Sequence, residues 1–438
     1  MMTNICDYGA RADGTLCTRE IQAAIDAAGN GTVHIPAGTF VSGTLNLHGA
    51  SLHLDKNAVL KGSPDLADYV WNGYNHNEMG QVLSLLYAMD HEQIRIWGEG
   101  CIDLNGESFY KMDEPVLPDT TVVLTDEQLA ECTRRHQGRP NQPLFFLRCK
   151  HVTIEGIRVI NAPCWTFAFI ECEDVHMLNL MIFGSPILPN NDGMHFCSCK
   201  KVFIRGCNIS TGDDCIALSS ITDWDKPCED VVISDCILES SSKAIVVGYM
   251  HSIVRNVLIS NIIIRNSNRG LCIMTSSKTG LVENVQVSNA QIDTRVHAGN
   301  WWGNGEAICV MAVHHHIPSY ARAEPDRLIR ENVRNITLSA ITCTSENALA
   351  IIGESNNISS VRLIDATIEL KDSKNKMIKG NRIDLSPGSQ TGALPDDGQS
   401  YWLVLEEAHD LLFERVHVNP FHGEKPGVFM QNCENITL

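Results

Sequence analysis

The chain has 438 residues and a mass of 48.4 kDa, which is larger than a domain with a single compact core usually is. We therefore expect several domains or a repeat architecture. The formal net charge of -18 argues against nucleic acid or an anionic membrane as a partner, because both require a basic surface. No apolar stretch is long enough to cross a membrane as a helix.

The cysteines and the N-terminus predict a reducing compartment. The first seven residues have neither a basic start nor an apolar run, so we expect no secretory signal. The 17 cysteines form no C-x-x-C pairs, and several fall inside strand-like runs as small apolar residues. The sequence therefore predicts a cytoplasmic protein, or a secreted or periplasmic one if this chain is a mature form. We expect a monomer or a small homo-oligomer.

The first part of the chain reads as a cap followed by short strands. Residues 21–28 form the one strong short helical pattern, which in a stacked repeat would cover the open end of the core. Apolar runs at 33–40 and 52–54 then begin the strands, whereas the polar, proline-containing segment 105–142 is expected to be a loop excursion. No linker is apparent, so residues 1–438 are interpreted as a single domain.

One pattern recurs from residue 152 onward, with apolar residues at offsets 0, 2, 5 and 7. Val152, Ile154, Ile157 and Val159 form the first copy, and most copies begin roughly 23 to 29 residues apart. Offset 4 usually carries a residue type that tolerates positive φ. These residues are Gly156, Asn179, Gly206, Asp235, Asn261, Asn289 and Asp365. Each unit therefore reads as strand, bend and strand.

A further apolar run precedes most of these strand pairs, and no helical pattern intervenes. Short strands on such a period cannot bury a face alone and must stack on one another. Leucine-rich repeats would show an LxxLxL signature, which is missing, and propeller blades need about 40 residues each. The sequence predicts an all-β solenoid, a single-stranded parallel β-helix with a short N-terminal capping helix.

Three carboxylates lie in two neighbouring units of this repeat. Asp192 follows Asn190 and Asn191, and Asp213 and Asp214 follow Gly212 about one repeat later. When the apolar runs are aligned, Asp192, Asp213, Lys243 and Arg269 each stand just ahead of a run in consecutive units. In-register stacking would bring neighbours in this column to about 4.8 Å, the spacing of adjacent strands. A purely structural role, as hydrogen-bonded corner residues, is the alternative.

Crowded carboxyl groups suit cleavage of a glycosidic bond. One acid must keep a proton to donate to the leaving oxygen, while another, ionised, activates water. Like charges only a few ångströms apart cannot all ionise cheaply, so one acid retains its proton. Asp213 is the expected acid.

Three motifs, in this order and spacing, resemble the family 28 glycoside hydrolases, the polygalacturonase and rhamnogalacturonan hydrolase group. They are Asn161-Ala162-Pro163-Cys164-Trp165-Thr166, Asn190-Asn191-Asp192-Gly193 and Gly212-Asp213-Asp214-Cys215-Ile216-Ala217. The segment 8–14 adds to the resemblance, which covers most of the chain. It implies a right-handed parallel β-helix and hydrolysis with inversion of the anomeric centre. Asp213 would be the general acid, and Asp192 and Asp214 would position and deprotonate the water.

The sequence departs from that group at two places. Ser242-Lys243-Ala244 replaces a Gly-His-Gly segment, and Cys272-Ile273-Met274 replaces the Arg-Ile-Lys segment that grips a galacturonate carboxylate in polygalacturonases. Lys243 and Arg269 together are candidates for a displaced carboxylate clamp, with a structural or solvated charge as the alternative for each.

Several further residues are candidates for sugar binding. Asn190 and His195 flank the first acid, and Tyr249 and His251 are expected to border the same groove. Trp301, Trp302 and Glu306 belong to a glycine-containing segment that we interpret as an exposed aromatic platform, with core packing as the alternative. The segments 105–142 and 295–330 would close the groove into a pocket and favour exo action.

Neither a metal nor a cofactor is expected. His314, His315 and His316 are consecutive on a strand-like run and cannot easily converge on one ion. The leading hypothesis is an inverting glycosidase for pectic or rhamnogalacturonan oligosaccharides. A non-catalytic carbohydrate-binding or tailspike-like β-helix and a β-helical polysaccharide lyase are the alternatives.

Overall fold

The computed structural model shows a long stack of coils built from short parallel strands. It describes residues 2–314, 325–386, 391–395 and 397–438, with only the backbone of residues 391–393. Two parallel sheets run along the stack, and they are formed by strands that recur once or twice in every coil. The predicted parallel β-helix is therefore confirmed.

The larger sheet has 20 strands among the described residues. They are Thr3–Asn4, Thr32–Ile35, Gly38–Ser42, Ser51–Leu54, Ala58–Gly62, Arg95–Gly98, Cys101–Asp103, Lys150–Glu155, Arg158–Ile160, Glu173–Leu178, Met181–Phe183, Lys200–Arg205, Asn208–Thr211, Cys228–Ser240, Ile253–Ser267, Leu281–Thr294, Val333–Ser345, Ile358–Leu370, Ala408–Val418 and Glu434–Thr437. The predicted strand pairs of the repeat all fall in this sheet, and from Cys228 onward each pair is one long bent strand.

The smaller sheet, called the twelve-strand sheet below, is formed by the apolar runs that precede the repeat. Its strands are Leu45–Asn46, Leu86–Met89, Leu144–Leu147, Phe167–Ile170, Met194–Cys197, Ile216–Ser219, Lys243–Val247, Arg269–Thr275, Ile308–Ala312, Leu349–Ile352, Tyr401–Glu406 and Gly427–Gln431. Because this sheet carries residues of one coil directly beside those of the next, it decides which side chains are neighbours.

The interior of the stack is a continuous apolar core with in-register side-chain ladders. Phe146, Phe169 and Phe196 occupy equivalent positions in three successive coils. Their rings stack nearly parallel, with centroid distances of 4.9 and 5.1 Å between neighbours. Such ladders bury large apolar side chains and fix the register of the coils.

The bends between paired strands are confirmed as left-handed positions. All seven residues predicted at offset 4 have positive φ, among them Asn179 at 52° and Gly156 at 73°. The polar side chains at these bends also form a ladder. Asn289 donates to Asn261 at 2.8 Å, and Asn261 donates to Asp235 at 2.9 Å. A side chain that tolerates positive φ and bonds its neighbours is therefore used at each bend.

The N-terminal helix spans Thr18–Ala28, so it begins three residues before the predicted segment. Its buried face, formed by Ile21, Ala24 and Ile25, joins the main core at the end of the stack. Gln22 ties the helix to the first strand of the twelve-strand sheet by hydrogen bonds to both backbone groups of Asn46, each 2.9 Å long.

The segment predicted as a loop at 105–142 is instead structured. It contains the antiparallel strands Tyr110–Val116 and Thr133–His136, the helix Asp126–Ala130 and a 3-10 turn at Gly106–Phe109. The helix begins with a capping box formed by Thr125 and Gln128, which explains why a polar segment holds a helix.

Two further hairpins lie outside the repeat. One joins Trp71–His76 to Gly80–Leu83, and the other joins Arg382–Asp384 to Thr391–Ala393. The remaining short helices are Ile5–Tyr8, Leu66–Asp68 and Lys376–Lys379. Within the described residues, no helix has the length and apolar character needed to cross a membrane.

The Asn ladder yields a test of the bend. Replacing Asn261 by Ala removes its two ladder hydrogen bonds and leaves a Cβ at φ 56° without the polar side chain that lets Asn tolerate this conformation. Replacement by Gly also removes the bonds, but Gly adopts positive φ without a steric cost. We expect Asn261→Ala to lower the free energy of unfolding by about 2 kcal/mol and Asn261→Gly by about 1 kcal/mol, measured by urea denaturation. Equal losses for the two variants would show that the left-handed conformation costs nothing here.

Candidate functional site

Strand register in the twelve-strand sheet places five charged residues side by side. Lys243 pairs with Arg269 in the register of their two strands. The backbone bonds from Gly193 to Asp214, from Cys215 to Lys243 and from Gly270 to Glu306 extend the same alignment to both sides. Asp192, Asp214, Lys243, Arg269 and Glu306 therefore form one column, called the charged column below. The predicted column had Asp213 in the place that Asp214 occupies.

Asp213 lies one residue before the charged column, at a bend fixed by its own backbone. Its carbonyl oxygen accepts hydrogen bonds from the hydroxyls of Thr211 at 2.6 Å and Ser240 at 2.7 Å. Its half-buried carboxyl accepts a bond from the backbone N–H of Asn190 at 3.3 Å. This carboxyl thus stays at the surface of the site while its neighbour Asp214 turns into the sheet.

Gly212 is required for this bend to close. A Cβ on Gly212 would lie 2.5 Å from the carbonyl oxygen of Leu188 and 3.2 Å from the ring of Trp301. Only a residue without a side chain allows the backbone to approach both groups this closely.

The Asp192 and Asp214 carboxyls have strongly raised pKa values. Burial raises the pKa of Asp192 well above its usual range, and the nearby Asp213 and Asp214 carboxylates add to the effect. Burial also raises the pKa of Asp214, although the positive charge of Lys243 opposes the rise. Both residues are buried. The Oδ1 atom of Asp192 has no hydrogen-bond partner, whereas Oδ1 of Asp214 faces Lys243. The predicted crowding of acids is present. Both carboxyls keep their protons to a higher pH than they would in water.

Lys243 is fully buried beneath these acids. Its Nζ lies 3.3 Å from Oδ1 of Asp214 and 4.1 Å from the ring centroid of Trp302. Although burial alone would lower its pKa, the Asp214 and Asp213 carboxylates raise it, so the ammonium group stays charged. The Lys243 ammonium group therefore binds two groups of the protein itself, the Asp214 carboxylate and the face of the Trp302 ring.

Arg269 and Glu306 are also fully buried, and they bind each other. The Arg269 Nε and Nη2 atoms both lie 3.2 Å from Oε2 of Glu306. Arg269 also donates to the backbone carbonyl of Asp384, and the backbone N–H of Asp384 donates to Glu306 at 2.9 Å. Neither residue lines the cleft, which corrects the prediction that they contact a sugar. The hairpin that carries Asp384 covers this part of the sheet.

The cleft beside the charged column has aromatic walls. Trp165, Tyr249, Trp301 and Trp302 all line it together with Asn190, His195 and the three acids. Trp302 is partly exposed and stacks on Tyr249, with centroids 6.3 Å apart, while Trp301 is 4% exposed. Both tryptophans predicted for an exposed platform line the cleft, but only Trp302 is open to solvent.

The two candidate histidines are placed differently. The His195 ring packs on Trp165 at 3.6 Å between centroids, and burial holds its pKa well below the ordinary value, so it is neutral. Its Nδ1 lies 3.5 Å from Asp192. His251 does not border the cleft as predicted. It is buried and bonds the hydroxyl of Thr279 at 2.7 Å.

A cleft residue that sequence reasoning missed is Glu78, at the tip of the hairpin that joins Trp71–His76 to Gly80–Leu83. Asn77 fastens this hairpin over the cleft by donating to the carbonyl of Ile221 at 2.7 Å. The sequence signal was weak, because only Tyr74 and His76 alternate with a polar residue before Gly80, and Trp71 is out of step with them.

The opposite wall is braced by the excursion at 105–142. The indole N–H of Trp301 donates to the carbonyl of Glu131 at 3.0 Å, and Glu131 pairs with Arg295 at 2.9 Å. The backbone N–H of Ala298 also donates to the Glu131 carboxylate. One polar segment thus orders the loop that carries Trp301 and Trp302.

No group of possible metal ligands coincides with the cleft within the described residues. The group that the structure does contain, His34, His53 and Asp55, lies on strands of the first coils and the residue that follows. His314 pairs with Glu354 at 3.2 Å, whereas His315 and His316 lie outside the described residues.

Comparison with known proteins links this architecture to one family. The family model described as "Glycosyl hydrolases family 28" matches residues 27–299. A probable polygalacturonase of Vitis vinifera is 25% identical over 69% of this chain and 62% of its own length. A polygalacturonase of Persea americana is 24% identical over 50% of this chain and 43% of its own length. The chain thus spans roughly half the length of these curated relatives.

Solved structures share the whole coil stack. A family 28 exopolygalacturonase of Yersinia enterocolitica superposes with a TM-score of 0.70 and 20% identity, covering 100% of this chain and 78% of that one. An exopolygalacturonase of Thermotoga maritima gives 0.65 and 22%, covering 96% and 92%. A tailspike protein of bacteriophage HK620 gives 0.60 with 12% identity, covering 96% and 67%. These similarities show the fold, and the predicted right-handed parallel β-helix is confirmed.

The buried pair of Arg269 and Glu306 yields a stability test. Removing one partner leaves the other charge buried and unpaired, so we expect Arg269→Met or Glu306→Leu to lower the free energy of unfolding by about 3 to 5 kcal/mol. The double variant should recover much of that loss in a double-mutant cycle by chemical denaturation. If each single variant unfolded like the wild type and instead bound sugar more weakly, the pair would belong to the binding surface.

Proposed function

Because the chain belongs to glycosyl hydrolase family 28, we propose that it is an inverting glycosidase that removes sugars from an end of pectic or rhamnogalacturonan-derived oligosaccharides. Membership supports a hydrolase that cleaves glycosidic bonds. The observation that carries the finer proposal is the grouping of Asp192, Asp213 and Asp214 at one aromatic-walled cleft.

In this proposal Asp213 is the general acid. Its half-buried carboxyl stands at the cleft surface, where it can reach the glycosidic oxygen of a bound sugar. The bonds from Thr211 and Ser240 to its carbonyl hold the backbone of this bend in place, so the carboxyl does not have to be ordered during the reaction.

Asp192 and Asp214 then hold and deprotonate the attacking water. They are adjacent in the charged column and both line the cleft. Oδ1 of Asp192 has no hydrogen-bond partner and offers an acceptor oxygen to the water, whereas Oδ1 of Asp214 faces the Lys243 ammonium group. Burial favours the protonated form of both, which means that one must ionise to act as base. Lys243 supplies a positive charge that lowers the pKa of Asp214 and so favours its ionisation in this buried setting.

Action from a chain end is supported by the closure of the cleft. Asn77 holds the hairpin of Glu78 against the loop at Ile221, and Glu131 holds the loop of Trp301 on the opposite side. Walls on two sides favour a pocket that accepts a terminal sugar over an open groove for an internal one. The names of the two exopolygalacturonases among the solved structures are in line with this proposal.

The proposed acid can be tested directly. Asp213→Asn keeps the shape of the side chain but removes the proton donor, so we expect turnover to fall by about 10²- to 10⁴-fold while sugar binding is retained. Reducing-sugar release from a panel of pectic oligosaccharides measures turnover, and calorimetry measures binding. A non-catalytic binding protein would show no turnover in the wild type either. Retention of anomeric configuration in an NMR time course would contradict inversion.

The role of Lys243 can be read from the pH dependence of the rate. Removing its charge should raise the pKa of Asp214 further, because Lys243 now lowers it. In the proposed mechanism Asp214 acts as a base, so activity is lost as pH falls through that pKa. We therefore expect the acidic limb of kcat/KM to move to higher pH in Lys243→Met, by about one pH unit or more.

Lys243→Arg is the matched control, since it keeps the positive charge. We expect its acidic limb to stay close to that of the wild type even if the longer side chain lowers kcat. An unshifted limb in Lys243→Met, with a large rise in KM alone, would instead indicate that Lys243 contacts the substrate.

A further inference from the structure

Two histidines face solvent side by side near the N-terminal end of the stack. His34 and His53 lie on the neighbouring strands Thr32–Ile35 and Ser51–Leu54, and they are directly paired in the register of the larger sheet. Side chains alternate between the two faces of a strand, so both rings point outward while the residues on either side of them are buried in the core. Two successive coils therefore present one imidazole each at adjacent positions.

Asp55 completes this cluster. It comes two residues after His53, so its side chain emerges on the same face of the sheet. Its backbone is fixed, because its N–H donates to the carbonyl of Ile35 at 3.0 Å and its carbonyl accepts from the N–H of Ala58 at 2.9 Å. Oδ2 of Asp55 lies 2.8 Å from Nε2 of His34, and Oδ1 lies 3.5 Å from Nδ1 of His53. The carboxylate thus faces both rings.

The spacing of these three side chains suits a single metal ion. One ligand atom from each of His34, His53 and Asp55 lies within 4.8 Å of the other two, and within the described residues no other group of three or more such side chains meets this condition. Tetrahedral Zn²⁺, bound at about 2.0 to 2.2 Å, holds two nitrogen or oxygen ligands roughly 3.3 Å apart. The contacts of 2.8 and 3.5 Å lie on either side of that spacing. The side chains are 24%, 25% and 39% exposed, so an ion with its remaining water ligands can reach them.

Two groups of the cluster lack the partner that an ion would supply. Nδ1 of His53 is shielded from solvent and makes no hydrogen bond, although it faces the Asp55 carboxylate. A buried polar atom without a partner is uncommon in proteins and often marks a bound water or ion. In the part of the chain that the structure describes, neither lysine nor arginine comes within 4.0 Å of the Asp55 carboxylate. Arg95, on the next strand, pairs instead with Glu155 at 2.7 Å.

We propose that His34, His53 and Asp55 form a binding site for one divalent transition-metal ion such as Zn²⁺, which joins two neighbouring coils. Two imidazoles and a carboxylate suit ions of this class, whereas Mg²⁺ and Ca²⁺ prefer oxygen ligands alone. The end coils of a solenoid have a neighbour on one side only, so an ion that binds the native state and links two of them stabilises this end. The site shares no residue with the cleft.

Calorimetric titration with ZnCl₂, after treatment with a chelator and its removal, tests the site. We expect one tight site per chain in the wild type. The affinity should be at least about tenfold weaker in His34→Gln and in Asp55→Asn, because each substitution removes a ligand. Titration with MgCl₂ should show no binding at the same concentrations. Circular dichroism confirms that each variant is folded.

Trp97 gives an independent local readout. It pairs with His53 in strand register, and the centroids of the two rings are 5.2 Å apart. Cu²⁺ quenches a nearby indole, so stoichiometric CuCl₂ should quench part of the fluorescence of the seven tryptophans. We expect His53→Gln to abolish this quenching by removing the ion, and Trp97→Phe to abolish it while Zn²⁺ still binds.

A second cluster of the same residue types provides the matched control. His151 and His176 contact different oxygens of Asp174, at 2.6 and 3.1 Å, on later strands of the larger sheet. The ligand atoms of this group do not all lie within 4.8 Å of one another. We therefore expect His176→Gln to leave both the Zn²⁺ affinity and the Cu²⁺ quenching unchanged.

The stabilising role is tested by thermal unfolding. Saturating Zn²⁺ should raise the unfolding midpoint of the wild type by about 2 to 3 °C and leave that of Asp55→Asn unchanged. Zn²⁺ affinity that is unchanged in His34→Gln and Asp55→Asn, or that falls equally in His176→Gln, would overturn the metal site. Tight binding without any rise in the midpoint would overturn the link between coils.

Discussion

The site depends on the register of parallel strands in the twelve-strand sheet. Each coil contributes one residue to the charged column, so the order Asp192, Asp214, Lys243, Arg269 and Glu306 is an order of coils. A slip of one residue between two coils would turn a charged side chain to the other face and leave its neighbours buried without a partner. Stacked aromatic rings in the core and asparagine ladders at the bends of the larger sheet both hold neighbouring coils in register.

The repeat was predictable because period and bend chemistry are local. Apolar offsets specify which residues face the core, and Asn, Asp or Gly at the bends specify positive φ, so the coils from residue 152 onward follow from the sequence alone. Register to the nearest residue was not predictable in the same way. Asp213 and Asp214 are adjacent and chemically identical, and the backbone bonds from Gly193 to Asp214 and from Cys215 to Lys243 show that Asp214 joins the charged column.

Contacts made by segments outside the repeat could not be predicted, because no periodicity constrains them. Asn77 reaches Ile221 across 144 positions of sequence, and Trp301 reaches Glu131 across 170. Arg269 was a candidate for the carboxylate clamp because it aligns with the acids and Lys243 in the repeat, yet the hairpin that carries Asp384 covers it 115 positions later. The predicted acids were found because they lie within the repeat, whereas Glu78 was missed because it does not.

The charge arrangement also ties Lys243 to the acids of the charged column. A buried carboxylate that must ionise needs a nearby cation, and Lys243 meets that need for Asp214 at 3.3 Å with Trp302 covering its other side. A cation that is held in this way cannot also extend to a sugar carboxylate without leaving Asp214 uncompensated. Arg269 is likewise paired with Glu306, so both cations of the charged column neutralise carboxylates of that same column.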